Sequence, residues 1–353
     1  MTTRTPVARR TKSLSAQLGL TERLFVSAGE RALAARIEEG LEQVEQGLLQ
    51  RVSFDDAFAD ATSRYLLAAG GKRVRPLLTL LTAQLGEGIT PSVLLAAEAV
   101  EITHLASLYH DDVMDEAEQR RGVPSAQTVW GNSVAILTGD LLFARASKLI
   151  AEIDGSSAIS QTQTFERLVL GQLHETIGPQ PGEDPVEHYL QVLRDKTGSL
   201  IAAAAEWGAT FSGAPEEYRE PLARFGERIG VAFQLVDDVI DLAPKDSDTG
   251  KTAGTDLRAG VPTLPLLYLR RRALTDPGAA ALLLRIDAGV EGADDRMLEA
   301  AIADLRTHEV TADTTREAHR WAAAAVDALD PLPASTVKRA LVRFADLLVD
   351  RSH

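Results

Sequence analysis

Residues 108–122, LYHDDVMDEAEQRRG, place three carboxylates within five positions at the end of a long apolar-periodic segment. In a helix, positions i and i+4 lie on one face, one turn apart, so Asp111 and Asp115 project side by side. Asp112 lies about 100° round the helix axis. Like charges this close repel each other, so the arrangement favours carboxylates that meet water or cations.

The same DDxxD spacing recurs far along the chain as Asp237, Asp238 and Asp241, again in an otherwise apolar helix. A single carboxylate cluster is usually a solvated patch or a helix end, but two with identical spacing indicate a metal site. Hard oxygen ligands without histidine or cysteine suit Mg²⁺ or Mn²⁺. Mg²⁺ usually bridges carboxylates and substrate phosphates. Together with the two basic groups described below, the two carboxylate faces therefore predict two phosphate-bearing substrates, only one of which needs metal.

Length and composition restrict the class of protein. The 353 residues suffice for one large domain or two ordinary ones, and 45% of them are hydrophobic. The net charge of −14 argues against a general nucleic-acid binder. The chain has no cysteine, which excludes disulfides and thiolate zinc sites and fits a cytoplasmic enzyme. No apolar run of about 18 residues occurs, so we expect no transmembrane helix.

The N-terminal segment is basic and has no acidic residue before Glu22. It lacks a following apolar core, so no secretory signal is expected. We predict that residues 1–20 form a disordered tail, with contact to an anionic membrane surface as the alternative. The cations of this tail are Arg4, Arg9, Arg10 and Lys12.

Helical periodicity dominates the chain, and no convincing set of period-2 strands is found. Thr90 and Pro91 form a cap followed by a proline at the first helical position, which predicts a helix ending just past Asp115. Residues 120–124, RRGVP, break that helix, and a loop over 246–260 follows the second aspartate helix. Roughly a dozen helices with short connections indicate an all-α bundle. No composition shift marks a boundary, so we predict one domain over 21–353.

Two basic groups accompany the first cluster. Residues 70–76, GGKRVRP, lie in a predicted loop whose glycines permit close approach to a ligand. It is not a P-loop, since the required spacing is absent, but Lys72 and Arg75 could hold a phosphate. Arg120 and Arg121 follow the cluster. They either complement the helix dipole and the carboxylates or form a fork for phosphate oxygens.

Further polar residues share faces or loops with the aspartates. His104 lies two turns before the first cluster on the same face, and both a structural and a functional role are open. Gln234 precedes the second cluster by three positions and shares its face. Lys196 stands beside the hydroxyl of Thr197, and Lys251 follows in the loop after the second cluster.

Five motifs occur in an order that resembles the trans-isoprenyl diphosphate synthases, or polyprenyl synthetases. They are GGKRVRP, LYHDDVMDEAEQRRG, RDKTGSL, FQLVDDVIDL and GKTAGTDLRAGVPTLPLL, and they span residues 70–267. The resemblance implies a large single-domain helical bundle of the isoprenoid synthase type around a deep central cavity. It also implies a homodimer, and contact with a membrane surface when product is released.

The resemblance assigns each candidate a role. Mg²⁺, or Mn²⁺ as a substitute, would be held by Asp111, Asp112, Asp115, Asp237, Asp238 and Asp241. Isopentenyl diphosphate would be held by Lys72, Arg75, His104 and Arg121, and the diphosphate of an allylic substrate by Arg120, Lys196 and Lys251. Thr197 and Gln234 would face the developing positive charge. The allylic diphosphate would ionise, isopentenyl diphosphate would attack the cation, and the departing diphosphate would take the proton.

One position departs from the family pattern. Family members often carry a lysine where this chain has Val261, and a valine cannot contact phosphate. Either Lys251 suffices, or the affinity for the allylic substrate is reduced.

The residues of the helix before Asp111 indicate part of what sets product length. In the family, bulky aromatic residues four and five positions before the first aspartate stop chain growth early and give short products. Here these positions hold Ser107 and Ala106, and Thr103 continues the same helix face below Ser107. Small side chains leave room for a growing apolar tail, or they merely allow close helix packing. We favour a cavity for a tail of about C30 to C50 over one for a geranylgeranyl (C20) tail.

Two other functions fit less well. Terpene cyclases share the first aspartate-rich motif, but their second metal motif differs and they need no second diphosphate site. A non-catalytic subunit of a heteromeric synthase would be expected to lose aspartates or the basic loop, and this chain retains both.

Overall fold

The computed structural model describes residues 28–153, 157–243, 253–292 and 295–350, and these segments are almost entirely helical. The all-α prediction is therefore confirmed. The first part of the chain forms α1 (Ala28–Arg51), α2 (Ala57–Ala68), α3 (Val74–Thr82), a 3-10 turn (Ala83–Leu85), α4 (Pro91–Met114), strands β1 (Gln119–Arg120) and β2 (Val123–Pro124), α5 (Ala126–Trp130), α6 (Asn132–Ile153) and α7 (Ser157–Ile177).

The remaining elements continue the helical pattern. They are α8 (Pro185–Leu193), a π-helical turn (Arg194–Gly198), α9 (Ser199–Phe211), a 3-10 turn (Glu216–Tyr218), α10 (Arg219–Asp241), α11 (Thr255–Arg258), α12 (Leu264–Ala273), α13 (Pro277–Gly292), α14 (Asp295–Thr307), α15 (Glu309–Ala328) and α16 (Thr336–Val349).

The described residues divide into two compact units. The first unit comprises 28–165, Leu200–Ala223 and Asp330–Arg343, and the second comprises Glu166–Ser199, Arg224–Leu329 and 344–350. The first aspartate cluster belongs to the first unit, and the second cluster to the second unit. The prediction of one domain over 21–353 stays a prediction.

The helix that carries the first cluster begins as predicted. The Thr90 hydroxyl accepts a hydrogen bond from the Val93 N–H at 3.2 Å, and Pro91 occupies the first turn. The helix ends one residue before Asp115 rather than just past it. Asp115 caps this end, and its N–H donates to the Asp111 carbonyl at 2.8 Å. The two carboxylates are therefore one turn apart, as the i, i+4 spacing predicts.

Helix α4 packs most extensively against α6. A Cβ added at Gly139 of α6 would stand 3.2 Å from the Ala106 carbonyl oxygen and would collide with the His110 ring. This close approach buries the middle of α4, including Thr103 and Ala106. Small residues in this part of α4 therefore accompany close helix packing, which is the alternative that the sequence left open.

A two-stranded hairpin follows the first cluster. Arg120 pairs with Val123 in antiparallel register, and Arg121 (φ 55°) and Gly122 (φ 75°) form the turn. Two central residues with positive φ are the signature of a type I′ turn, which suits a tight hairpin. The predicted helix break over 120–124 is confirmed, but the hairpin was missed because strands of two residues show no periodicity.

Two other elements differ from expectation. The short helix α5 was not predicted, and α11 lies inside the predicted loop over 246–260. Residues 246–252 of that loop, including Lys251, and the predicted tail over 1–20 lie outside the described residues. Across the residues that are described, no helix is both long and apolar enough to span a membrane.

Candidate active site

The carboxylates of the first cluster have different environments. Asp111 is half-buried and Asp115 is exposed at the end of α4, whereas Asp112 is completely buried. Arg120 Nε donates to Asp112 Oδ1 at 2.6 Å. Burial raises the pKa of Asp112, and the Arg120 guanidinium opposes this effect. Arg120 thus neutralises a carboxylate in this structure, which is one of the two roles that the sequence left open.

The second oxygen of Asp112 is available for a further contact. Asp112 Oδ2 is buried and has no hydrogen-bond partner. A buried carboxylate oxygen without a partner is unfavourable, because it has lost water and gained nothing in exchange. A hard cation would satisfy it, so the donor set of the first cluster fits a divalent metal ion.

The loop between α2 and α3 is held by a buried ion pair that the sequence did not indicate. Arg73 adopts φ 51° and is buried, and its Nη1 donates to Glu101 Oε1 of α4 at 3.1 Å. It also pairs with the more exposed Glu45 of α1 and donates to the Gly70 carbonyl at 3.4 Å. Arg73 therefore orients the glycine loop rather than presenting a charge to solvent. The one feature of the sequence that could have predicted this ion pair is Glu101, an acidic residue at a buried position of an apolar helix.

Three of the four residues predicted to hold isopentenyl diphosphate influence one another's pKa values in the first unit: Arg75, His104 and Arg121. Burial lowers the pKa of Arg75 to about 10; Glu101 opposes this effect and Arg121 adds to it. Burial, Arg75 and Arg121 hold the pKa of His104 well below its usual range. Arg75 Nε is buried without a hydrogen-bond partner, and Lys72 is exposed. Cations that depress one another's pKa values favour an anionic ligand.

The hairpin turn positions Arg121 beside the glycine loop. Arg121 Nη1 donates to the Leu66 carbonyl at 2.9 Å and to the Gly70 carbonyl. A Cβ added at Gly71 would stand 2.9 Å from the Arg121 guanidinium carbon. Gly71 is therefore required both for its backbone conformation and for the space that the arginine occupies.

The second cluster lies at the C-terminal end of α10. Asp238 is buried, and its Oδ2 accepts from the Tyr189 hydroxyl at 2.8 Å and from the Leu264 N–H at 3.2 Å. Burial raises the pKa of Asp238 to about 7 against these hydrogen bonds. Asp237 and Asp241 are half-buried, and Asp241 Oδ2 accepts from the Asp256 N–H at 3.1 Å. The α11 segment thus orients the last aspartate of the cluster.

Lys196 and Thr197 lie in a π-helical turn, Arg194–Gly198, between α8 and α9. Such turns are rare and often occur at functional sites. Gly171 allows helix α7 to approach the backbone of this turn closely, since a Cβ at Gly171 would stand 2.9 Å from the Lys196 Cα. Lys196 pairs with Glu175, and Gln234 of α10 is half-buried.

No three acidic or histidine side chains of the described segments are arranged to hold a metal ion by themselves. Mg²⁺ usually keeps several waters and uses one or two carboxylates together with substrate phosphates. The carboxylate sets in each unit are therefore compatible with metal that arrives with a phosphate ligand. Val261 is 36% exposed and offers no charge.

Comparison with known proteins identifies the family. The sequence model of the polyprenyl synthetase family matches residues 57–303. The chain belongs to this family. It is 42% identical over 327 residues to a nonaprenyl diphosphate synthase of Mycobacterium tuberculosis, covering 92% of this chain and 96% of the relative.

Solved structures of polyprenyl synthetases share the fold. A decaprenyl diphosphate synthase from Rhodobacter capsulatus superposes with a TM-score of 0.80 at 33% identity, covering 92% of this chain and 99% of that one. A geranylgeranyl pyrophosphate synthase from Corynebacterium glutamicum was solved in complex with calcium and isoprenyl diphosphate. It superposes with a TM-score of 0.79 at 41% identity, covering 93% of this chain and 98% of that one. The prediction of a polyprenyl synthetase with the all-α isoprenoid synthase fold is confirmed, and the protein is a prenyltransferase.

Proposed function

We propose that this polyprenyl synthetase condenses isopentenyl diphosphate with an allylic diphosphate and depends on Mg²⁺, with Mn²⁺ as a substitute. The observation that carries the proposal is the half-buried, mutually coupled group of Arg75, His104 and Arg121, in which Arg75 Nε is buried and has no hydrogen-bond partner. Glu101 offsets part of this positive charge, and an anionic ligand would offset the rest. The carboxylate sets separately fit a metal-bound diphosphate, so two diphosphates can be held by different chemistry.

The metal ions are assigned to the two aspartate clusters. When bound, Mg²⁺ stabilises the negative charge of a diphosphate leaving group. Asp111 and Asp115 would hold it through accessible oxygens, and Asp112 through its unpartnered Oδ2. The second set consists of Asp237, Asp238 and Asp241, and Arg120, Lys196 and Lys251 would add positive charge to the allylic diphosphate.

Isopentenyl diphosphate is assigned to the cationic group of the first unit. Arg75 Nε and the Arg121 guanidinium would donate to its phosphate oxygens, and the neutral His104 ring would donate one N–H. Lys72 lies exposed beside them and would add a contact from the solvent side. Thr197 and Gln234 would direct oxygens at the developing carbocation. The carboxylates are assigned to metal, so the departing diphosphate would take the proton.

The product is proposed to be a long all-trans chain. The names of similar proteins favour a long chain over the geranylgeranyl alternative: they include nonaprenyl, octaprenyl and decaprenyl diphosphate synthases, and a geranylgeranyl pyrophosphate synthase is also similar. Of the small residues on this helix, half-buried Ser107 leaves room for a tail of about C30 to C50, whereas Ala106 and Thr103 are buried in the helix packing. We further propose a homodimer in the cytoplasm that meets a membrane surface only when product is released.

The direct test is incubation with Mg²⁺, labelled isopentenyl diphosphate and either farnesyl or geranylgeranyl diphosphate, followed by chromatography of the products. We expect label in long-chain diphosphates, and no incorporation when Mg²⁺ is removed with a chelator. Failure to incorporate label with Mg²⁺ present would overturn the proposed function. A product that stops at geranylgeranyl diphosphate would overturn only the chain length.

Substitution of Ser107 by phenylalanine is expected to shorten the product. Ser107 is half-buried on the face of α4 that carries Asp111, whereas Ala106 is completely buried. A ring at Ser107 would occupy the path of the tail, so the main product of Ser107→Phe should fall to geranylgeranyl diphosphate or shorter. Ala106→Phe should act in the same direction, with a greater loss of stability from overpacking. Chromatography of the products measures the effect, and an unchanged length would contradict it.

The stability of the protein is expected to fall in acid partly because of His104. Its pKa in the folded state lies well below 6.5, mainly because of burial. The unfolded chain therefore binds the proton first, and stability is lost as the pH falls below 6.5, by up to about 1.4 kcal/mol per pH unit. His104→Gln removes this dependence. Urea unfolding of both proteins from pH 8 to pH 5 measures it, and a constant difference between them would contradict the assignment.

A further inference from the structure

Helix α7 presents three residues at intervals of four to the π-helical turn between α8 and α9: Arg167, Gly171 and Glu175. Arg167 Nε donates to Asp195 Oδ1 at 2.9 Å, and Glu175 pairs with Lys196. A Cβ added at Gly171 would collide with the Lys196 backbone. Because residues four apart lie on one face of a helix, a single face of α7 holds this turn.

Arg167 also joins the turn to α10. Its Nη2 donates to Glu227 Oε2 at 2.7 Å. Gly198 lets α10 come close to the turn, since a Cβ there would stand 3.0 Å from the Glu227 carbonyl oxygen. Glu227 precedes Asp237 by ten residues, or about 15 Å along the helix axis. One guanidinium in the second unit therefore links the turn to the helix that carries the second aspartate cluster.

Asp195 is held at three oxygen atoms. Arg167 occupies Oδ1, and Gln191 Nε2 donates to Oδ2 at 2.7 Å. The buried Ser199 hydroxyl donates to the Asp195 carbonyl, which in a regular α-helix would accept from the Ser199 N–H. The side chain of Ser199 thus satisfies a carbonyl at the point where the regular helical hydrogen bonding changes.

A π-helical turn needs such contacts, because it has one residue more than an α-helical turn and is rare. Relaxation to α-helical spacing would shift the turn relative to α8 by up to one residue, about 100° and 1.5 Å. Lys196 and Thr197 would move with it. The Arg167 side chain is 40% exposed, and ion pairs this exposed contribute little to the stability of a fold. What they fix here is the position of the turn.

We propose that Arg167 is a positioning residue for the allylic substrate. It fixes the π-helical turn against α10, so that Lys196 reaches the diphosphate at the second aspartate cluster and Thr197 faces the reacting carbon. The proposal rests on the proposed function, which assigns Lys196 and Thr197 to the allylic substrate. Arg167 acts through the turn and binds no substrate itself.

The test measures the KM values for farnesyl diphosphate and for isopentenyl diphosphate separately, with Mg²⁺ present. Arg167→Gln should raise the KM for farnesyl diphosphate by about 10-fold or more, the usual effect of losing a group that orients a ligand-binding residue. The KM for isopentenyl diphosphate should stay within about twofold, because its assigned residues lie in the first unit. Arg167→Lys keeps the charge and should recover part of the loss.

Arg285→Gln is the matched control. The Arg285 side chain is 41% exposed and pairs with Asp304 at 2.7 Å, so it resembles Arg167 in exposure and in its ion pair. Both residues lie in the second unit, but Arg285 makes no contact with the π-helical turn. Arg285→Gln should leave both KM values unchanged, and urea unfolding should show similar stability for the two variants.

A double variant separates positioning from a general structural effect. Lys196→Ala alone should raise the KM for farnesyl diphosphate. If Arg167 acts through Lys196, adding Arg167→Gln to Lys196→Ala should raise this KM by less than about twofold further. Full multiplication of the two effects would overturn the positioning role.

The remaining outcomes distinguish this role from the proposed function. A wild-type KM for farnesyl diphosphate in a folded Arg167→Gln variant would overturn the role of Arg167. If that variant fails to fold, Asp195→Ala removes the same contact and should give the same rise in KM; a wild-type value there overturns the role as well. Absence of incorporation by the wild type, or a wild-type KM in Lys196→Ala, would instead overturn the proposed function on which the role depends.

Discussion

Asp111→Ala is expected to lower turnover at fixed Mg²⁺ by about 100-fold or more. Loss of a group that merely orients a metal ligand costs about 10- to 100-fold, so loss of the ligand itself should cost at least as much. Asp111 is half-buried at the end of α4, one turn from Asp115. The two remaining carboxylates cannot replace it, because Asp112 is buried against Arg120 and Asp115 lies one turn further along the helix.

Initial rates with labelled isopentenyl diphosphate over a range of Mg²⁺ concentrations measure this effect. The half-saturating Mg²⁺ concentration should rise in the Asp111→Ala variant, which a purely structural defect would not produce. Glu118→Ala is the control, since Glu118 is an exposed carboxylate seven positions further along the chain. Turnover of the Asp111→Ala variant equal to that of the wild type would remove Asp111 from the metal site.

Arg73→Met is expected to destabilise the protein by about 3–5 kcal/mol, because it leaves the buried Glu101 carboxylate without its partner. Glu101 is 2% exposed and accepts from Arg73 at 3.1 Å. The same change releases the glycine loop, since Arg73 also donates to the Gly70 carbonyl. Urea unfolding should therefore show the loss of stability, and the KM for isopentenyl diphosphate should rise.

Two further variants test the cause of this destabilisation. Glu45→Ala removes the more exposed partner of Arg73 and should cost under about 1 kcal/mol. The double variant Arg73→Met with Glu101→Met should recover much of the stability, since apolar residues often replace a buried ion pair without loss. An Arg73→Met variant no less stable than Glu45→Ala would show that the buried pair does not hold this loop.

Much of the identity of this protein follows from local sequence features. The two DDxxD clusters, their helices and the order of five motifs predicted an all-α prenyltransferase, and the fold and the family are confirmed. These features can be predicted from the sequence because residues at positions i and i+4 of a helix lie on the same face, independently of the tertiary structure. The capped start of α4 was also predictable from neighbouring positions, because the Thr90 hydroxyl caps the N–H three residues further on and Pro91 suits the first turn.

The partners of the site residues depended on tertiary structure. Asp111 and Asp112 are adjacent in sequence, yet one is accessible and the other is buried against Arg120. Likewise, Tyr189 lies 49 positions from Asp238 and donates to it at 2.8 Å. No periodic pattern reports such pairs, because burial is set by which helices pack on that face.

The sequence by itself determined which chemistry this protein carries: the carboxylates, the cations and the helices on which they lie. Only the tertiary structure decided how each charge is used. It made Arg73 a buried anchor of the glycine loop, and it placed Arg167 between Asp195 and Glu227. Residue type and helical period are properties of neighbouring positions, whereas pairing, burial and pKa depend on groups that the fold brings together from distant parts of the chain.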